Sequence, residues 1–316
     1  MTIVGIDFGG TRLRAARFDE HLNMLERAET PTLAHEPQQA VIQRILDVAR
    51  QVWPDDGKVE AVGISAPCPM AHTGMVGHAA VVPDWVDVPL AQWVSEAFGG
   101  VPVYMENDAN LGALAEYHKG AARGANPAVY MTISTGIGGG LVIDGQLFTG
   151  KSGLAIEPGH SKYRGPDGHI YSLQDFAAGP GIVRLARLKL AETAKESQLR
   201  ESGELTGKRV GEAAQAGDPV ACAVIEEAGW WLGLGLINVA LMCNPEVIVL
   251  GGSVVMALGD LLLDPARRVM AEYVVDPAFY SDDLLQLAHL GDDVCLIGAA
   301  SYARDRSSAL AQAQLK

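Results

Sequence analysis

The sequence has no Cys-x-x-Cys pair and no run of five basic residues, and its apolar, uncharged run at residues 228–245 is broken by three glycines and two asparagines. Each absence excludes something. The four cysteines, Cys68, Cys222, Cys243 and Cys295, lie far apart among apolar neighbours. They offer no zinc knuckle or redox dithiol and suit buried thiols in a reducing compartment. Lys and Arg number 24 against 38 Asp and Glu, a net charge of −14, so a nucleic-acid surface is not expected. The uncharged run reads as a buried core helix leading into a strand, not as a membrane span. The first residues enter a strand directly, without a charged and then apolar leader. A cytoplasmic protein is the expectation.

What is present supports a large core. The chain has 316 residues, 48% of them hydrophobic, enough for two lobes. Residues 3–6 read as a strand, Gly9-Gly10-Thr11 as a turn, and 13–18 and 22–30 as returning strands. Val41, Ile42, Ile45, Leu46, Ala49 and Val52 recur at a helical period behind Pro37. Strands follow at 59–65 and 101–105, the second ending on a Glu106-Asn107-Asp108 turn before a helix at 109–119. The scheme then restarts: strand 128–134, turn 135–140, strand 140–143 and an Asp144-Gly145 hairpin turn. Helices at 180–194, 220–242, 261–273 and 298–306 and a strand at 246–250 complete it. The expected division is an N-terminal lobe, 1–120, completed by the C-terminal helix 301–316, and a second lobe, 121–300, with the boundary near 120–126.

Two glycine-rich turns follow strands at matching points of this weak duplication. In Asp7-Phe8-Gly9-Gly10-Thr11 the glycines let successive N–H groups form an anion-binding concavity. Asp7 can then reach the Mg²⁺ of a nucleotide, directly or through water. Ser134–Gly140 repeats the logic with Thr135 and the N–H groups of Gly136, Gly138 and Gly139. Asn107-Asp108 supplies what phosphorylation of a sugar hydroxyl needs, a carboxylate to take the proton and an amide for a neighbouring hydroxyl. Glu157 and His160, three residues apart on a turn, can clasp adjacent hydroxyls. Gly251-Gly252, after an apolar strand, would let a flat purine lie against the main chain. Each has a plainer reading: a hairpin turn, a flexible loop, a helix N-cap, a surface pair, a strand-to-helix turn. Their joint occurrence in order argues for phosphoryl transfer.

These runs, together with Asn244-Pro245-Glu246-Val247-Ile248-Val249-Leu250, resemble the ROK family (repressor, open reading frame, kinase) over nearly the whole chain. The resemblance implies an α/β, two-lobed actin-like ATPase (ribonuclease H-like) fold with duplicated mixed sheets, closing over a sugar. It implies an ATP- and Mg²⁺-dependent sugar kinase with Asp108 as general base towards a hexose hydroxyl, usually O6. Asn107, Glu157 and His160 would contact the sugar. Asp7, Gly9, Gly10, Thr11, Thr135 and Gly136 would surround Mg-ATP, with Gly251 and Gly252 beside the adenosine. A homodimer is implied on the same ground.

The match breaks after His160. Family members usually carry a zinc loop there, Cys-x-Cys-Gly-x-x-Gly-Cys. This chain has Gly165-Pro166-Asp167-Gly168-His169-Ile170-Tyr171-Ser172-Leu173-Gln174, without cysteine. No structural zinc is expected, and packing by Tyr163, Tyr171 and Phe176 must order the segment. Gln174 stands where the family has a sugar-binding Glu. Ala80-Val81-Val82-Pro83-Asp84-Trp85 replaces a Pro-Asn-Leu run near the sugar. The preferred sugar can therefore differ from glucose. The repressor branch is disfavoured by the acidic charge. A catalytically idle sugar-binding protein is the principal rival.

Overall fold

The computed structural model describes residues 1–67, 75, 76, 82 and 85–314, and of 311–314 the backbone alone. Cys68 and residues 80, 81, 83 and 84 lie outside the described residues. The chain divides into two compact units. The first comprises residues 1–123, 145–155 and 289–316, the second 124–144 and 156–288.

The first unit is built on one mixed sheet. Its strands are β1 (Ile3–Phe8), β2 (Arg12–Phe18), β3 (Met24–Pro31), β4 (Ala61–Ala66) and β5 (Val103–Asn107), in the order β3-β2-β1-β4-β5. β1 pairs antiparallel with β2 and parallel with β4, and β4 pairs parallel with β5. Helix α1 (Gln38–Gln51) covers one face, its Val41 and Ile45 packing with Val4 and Ile6. Helix α2 (Leu90–Ala97) joins the same cluster through Leu90 and Val94. Alternate residues of β1 turn to the other face, where Ile3 meets Leu296 and Ala300. Those two belong to a C-terminal helix that runs Val294–Gln314.

That helix begins well before residue 298, where periodicity alone starts it. Its approach is close: a Cβ on Gly63 of β4 would lie 1.9 Å from the Ala299 carbonyl oxygen. The helix α3 (Asp108–Lys119) packs beside it. The fully buried Glu116 carboxylate of α3 accepts from the N–H groups of Ala121, His289 and Leu290. These bonds explain why the chain from 289 onward groups with the first unit.

The second unit repeats the plan. β6 (Ala128–Ile133) pairs antiparallel with β7 (Ile137–Ile143), and β11 (Val247–Gly251) lies parallel to β6 and to β12 (Leu285–Leu287), in the order β12-β11-β6-β7. This is the ladder pattern of β5-β4-β1-β2, so the duplication extends to strand direction. β8 (Gln146–Leu147), whose residues group with the first unit, follows the two-residue turn of Asp144 (φ 52) and Gly145 (φ 74). β9 (Lys162–Arg164) and β10 (Ile170–Ser172) form a small hairpin. The helices are α4 (Gln174–Ala177), α5 (Gly179–Glu192), α6 (Gly207–Gln215), α7 (Pro219–Cys243), α8 (Ser253–Leu258) and α9 (Asp260–Tyr273), with α10 as the C-terminal helix already described.

α7 is long and apolar enough to cross a membrane. Leu232, Leu236 and Ala240 instead pack in the core with Met131 and Ile133 of β6. Asp218 caps its N-terminus, accepting from the N–H groups of Val220 and Ala221, and Asn244 ends it in the left-handed conformation (φ 41). Cys222, Cys243 and Cys295 are free thiols of intermediate exposure, and burial raises the pKa of Cys243 and, further, of Cys295.

Candidate active site

Asp7 lies near the end of β1, directly opposite Arg14 in the antiparallel register. Arg14 Nε and Nη2 both reach Asp7 Oδ2, at 2.9 and 2.6 Å. Burial raises the Asp7 pKa, with the Arg14 charge acting against it. For Arg14, burial disfavours the charge, but Asp7 more than offsets that and raises its pKa. Arg14 also donates to the Asp292 carbonyl at 2.5 Å, and Arg12 pairs with the Asp292 carboxylate at 3.1 Å. The turn itself is held at its edges. Gly9 N–H donates to the Arg12 carbonyl, and the Thr32 hydroxyl to the Gly9 carbonyl. Gly10 and Thr11 are exposed, and their N–H groups meet no backbone acceptor among the described residues. That is the arrangement a phosphate oxygen can complete.

β5 passes into α3 with no intervening turn, contrary to the expectation at Glu106-Asn107-Asp108. Glu106 is a buried strand residue whose Oε1 accepts from Asn107 N–H (2.8 Å) and from Asn110 Nδ2 (3.1 Å). Burial raises its pKa, against those bonds. The Asn107 side-chain oxygen caps α3, accepting from Ala109 and Asn110. The plainer reading of this residue, a helix N-cap, is thus true of its oxygen. Asp108 is the first residue of the helix, half-buried, with Oδ1 accepting from Ala109 N–H at 2.8 Å. A carboxylate there meets the positive end of the helix dipole.

In the second unit the turn after β6 is tighter than the glycine run suggests. Ser134 N–H donates to the Gly136 carbonyl, and the N–H groups of exposed Thr135 and half-buried Gly136 meet no backbone acceptor among the described residues. Gly138 and Gly139 lie in β7 opposite Thr132 and Met131, so they are part of the ladder that leaves the turn. Gly251 ends β11 and Gly252 follows it. A Cβ on Gly251 would lie 2.5 Å from the Tyr130 hydroxyl, and one on Gly252 (φ 92) 2.5 Å from the Ile133 carbonyl. Their missing side chains admit the close approach of β6.

A cavity of about 490 Å³ opens beside this turn. Ser134 and Thr135, Gly179 and Ile182 of α5, Lys208 and Gln215 of α6, and Ser253 and Val254 of α8 are among its lining residues. The Ser134 and Ser253 hydroxyls bond at 2.8 Å, and Gly179 N–H donates to the Ser134 carbonyl. α6 is not among the helices expected from the sequence. Its signal was present: Thr206 caps Arg209 N–H, and Val210, Ala213 and Ala214 recur at helical spacing.

Glu157 and His160 bracket a single 3₁₀ turn, Pro158–His160. Three residues per turn put them on one side. Both are exposed, yet enough protein surrounds Glu157 that desolvation raises its pKa, opposed by His160. The turn is pressed onto β7: a Cβ on Gly159 would lie 2.0 Å from the Ile137 carbonyl oxygen. Gln174 opens α4, with Oε1 3.2 Å from where a Cβ on Gly136 would stand. Glu157, His160, Gln174 and the Thr135-Gly136 turn therefore share one unit, while Asp7, Asn107 and Asp108 share the other.

The segment from His160 to Gln174 is ordered without thiolates, by the β9–β10 hairpin and by aromatic packing. Phe176 stacks on Trp231 at 3.9 Å, and Tyr171 meets Phe176 at 5.2 Å. Tyr163 meets Trp231 edge-on at 5.8 Å and accepts from Asn238 Nδ2 at 2.9 Å. Among the described residues no three His, Cys, Asp or Glu side chains cluster as a metal site.

A model of the ROK family matches residues 3–306. A glucokinase of Halalkalibacterium halodurans is 32% identical over 97% of this chain and 96% of its own length. Among solved structures, a ROK hexokinase from Thermus thermophilus has a TM-score of 0.81 at 31% identity, covering 98% of this chain and all of its own (100%). A ROK glucokinase of Streptomyces griseus, solved with glucose and AMPPNP, has a TM-score of 0.77 at 31% identity, covering 96% of this chain and 100% of its own.

Proposed function

The chain belongs to the ROK family and has its actin-like ATPase fold, and on that footing we propose that it is an ATP-dependent sugar kinase acting on a hydroxyl, O6, of a hexose or amino-hexose. The observation that carries this reading is the Asp108 carboxylate at the first turn of α3, on a strand end fixed by Glu106 and the Asn107 cap. The sugar hydroxyl attacks the γ-phosphorus and its proton passes to Asp108. The bond from the γ-phosphorus to the bridging oxygen breaks, and ADP leaves. A base of this kind contributes about 10²–10⁴ in rate.

Asn107, Glu157, His160 and Gln174 are assigned to the sugar. Gly10, Thr11, Thr135 and Gly136 are assigned to the phosphates, and the cavity by Ser134 and Ser253 to the adenosine. The turn N–H groups, unmet by backbone acceptors, fit anionic oxygens. Magnesium, bound with ATP, would neutralise charge on the phosphates. Asp7 would hold it through water, since Arg14 takes Asp7 Oδ2. A cytoplasmic homodimer completes the reading.

One observation favours a second reading, that of a sugar-binding protein without turnover: the Asp7 carboxylate is already neutralised by Arg14. ADP release measured against a panel of free hexoses and amino-hexoses separates the two. Sugar-stimulated release that Asp108→Asn abolishes is the expected result. If no sugar stimulates release, or if Asp108→Asn matches the parent, the kinase reading fails.

A further inference from the structure

Arg184 of α5 presents its guanidinium to two aromatic rings. Cζ lies 4.4 Å from the Tyr171 ring centroid and 5.0 Å from that of Phe176. Arg184 is half-buried, and its Nη2 lies out of water without a hydrogen-bond partner among the described residues. Only Nε is committed, donating to the Asp175 carbonyl at 3.1 Å. The Arg184 charge is among the causes that hold the Asp175 carboxyl pKa down, and the two ring faces add to the compensation of that charge, an interaction that strengthens on desolvation.

The rings it binds belong to different elements. Tyr171 is in β10, Phe176 in α4, and Phe176 in turn stacks on Trp231 of α7 at 3.9 Å and 11°. The guanidinium is therefore a clasp joining the hairpin to α4, and through α4 to the core helix. Two further bonds transmit that constraint. Leu173 N–H donates to the Ser161 carbonyl at 3.0 Å, one residue from each of His160 and Gln174. The Asp175 carboxylate accepts from Ser172 N–H at 2.8 Å.

We propose that Arg184 is a positioning residue for sugar binding: its cation–π clasp on Tyr171 and Phe176 sets the segment that ends in His160 and Gln174. This rests on the reading of those two residues as sugar contacts. Arg184 itself touches no substrate.

The test is Arg184→Met, which keeps length and removes charge, with Arg184→Lys as the conservative variant and Tyr171→Leu removing the ring. Arg184→Met is expected to raise the KM for sugar about tenfold while the KM for ATP stays within about twofold, and Arg184→Lys to recover part of the loss. Deuterium exchange of residues 161–175 should rise in Arg184→Met and in Tyr171→Leu, with exchange in the α7 core unchanged. A KM for sugar that stays at the parent value, or unchanged exchange at 161–175, overturns the proposal. A general loss of protection across the unit does so as well, because it marks Arg184 as ordinary packing. The exchange measurement needs no turnover, so it stands apart from any failure of the kinase reading.

Discussion

Asp7 and Arg14 face each other across the β1–β2 hairpin, Arg14 Nη2 2.6 Å from Asp7 Oδ2. Their side chains are 5% and 13% exposed, so the pair lies almost out of water at the edge of the Gly9-Gly10-Thr11 turn. Removing one charge from such a pair costs far more than removing both, because the survivor is left desolvated.

Arg14→Met should therefore lower stability by about 3–5 kcal/mol in urea unfolding. The double variant Arg14→Met with Asp7→Leu should recover most of that loss while remaining inactive. Equal stability of the single and double variants would show that the pair is not energetically coupled.

Asp108→Asn should lower kcat by about 10²–10⁴ and leave the melting temperature within about 2 °C of the parent. Calorimetric titration with the preferred sugar should show affinity retained, since the amide keeps the oxygen that meets Ala109 N–H. A loss confined to sugar affinity would move Asp108 from base to binding contact.

Gly159→Ala tests the turn that carries Glu157 and His160. The new Cβ would stand 2.0 Å from the Ile137 carbonyl oxygen, so the turn must lift from β7. A rise of roughly tenfold or more in the KM for sugar is expected, with the KM for ATP little changed. Equal effects on both constants would argue against a sugar-specific role for this turn.

Asp218 sets a pH dependence. Burial works against its charge, but bonds from Ala221, Gln198, Ser197 and Val220 outweigh it and hold the pKa below the usual carboxylate value. Its stabilisation is present above the unfolded pKa of about 3.9 and is lost as pH falls through the lower folded value. Asp218→Ala should cost about 1–2 kcal/mol at pH 7 and flatten the acid limb of the stability curve. An acid limb identical to the parent's would remove Asp218 from that role.

Much of the site was legible because local chemistry carries it. Asp7 and Asp108 stand at strand ends, and Glu157 and His160 are three apart across Pro158-Gly159, which suits a 3₁₀ turn. The ladder was less legible. Gly138 and Gly139 look like loop residues from composition, yet β6 pairing draws them into a strand, and Gly251 and Gly252 are glycines because β6 passes too close for a Cβ. Arg14 and Arg184 gave no signal at all, since an arginine in a strand or helix reads as a solvated charge until its partner is known.

The sequence by itself determined the duplicated strand–turn–strand units, most of the core helices and the place of Asp108 where a strand passes into a helix, because strand and helix periods and glycine turns are set by neighbours a few residues apart. Tertiary structure alone decided what those residues meet. It joined residues 289–316 to the first unit through Glu116 and Gly63, bonded Ser253 to Ser134, and closed Arg184 over Tyr171 and Phe176. Such contacts depend on packing between segments distant in the chain, and no local pattern encodes them.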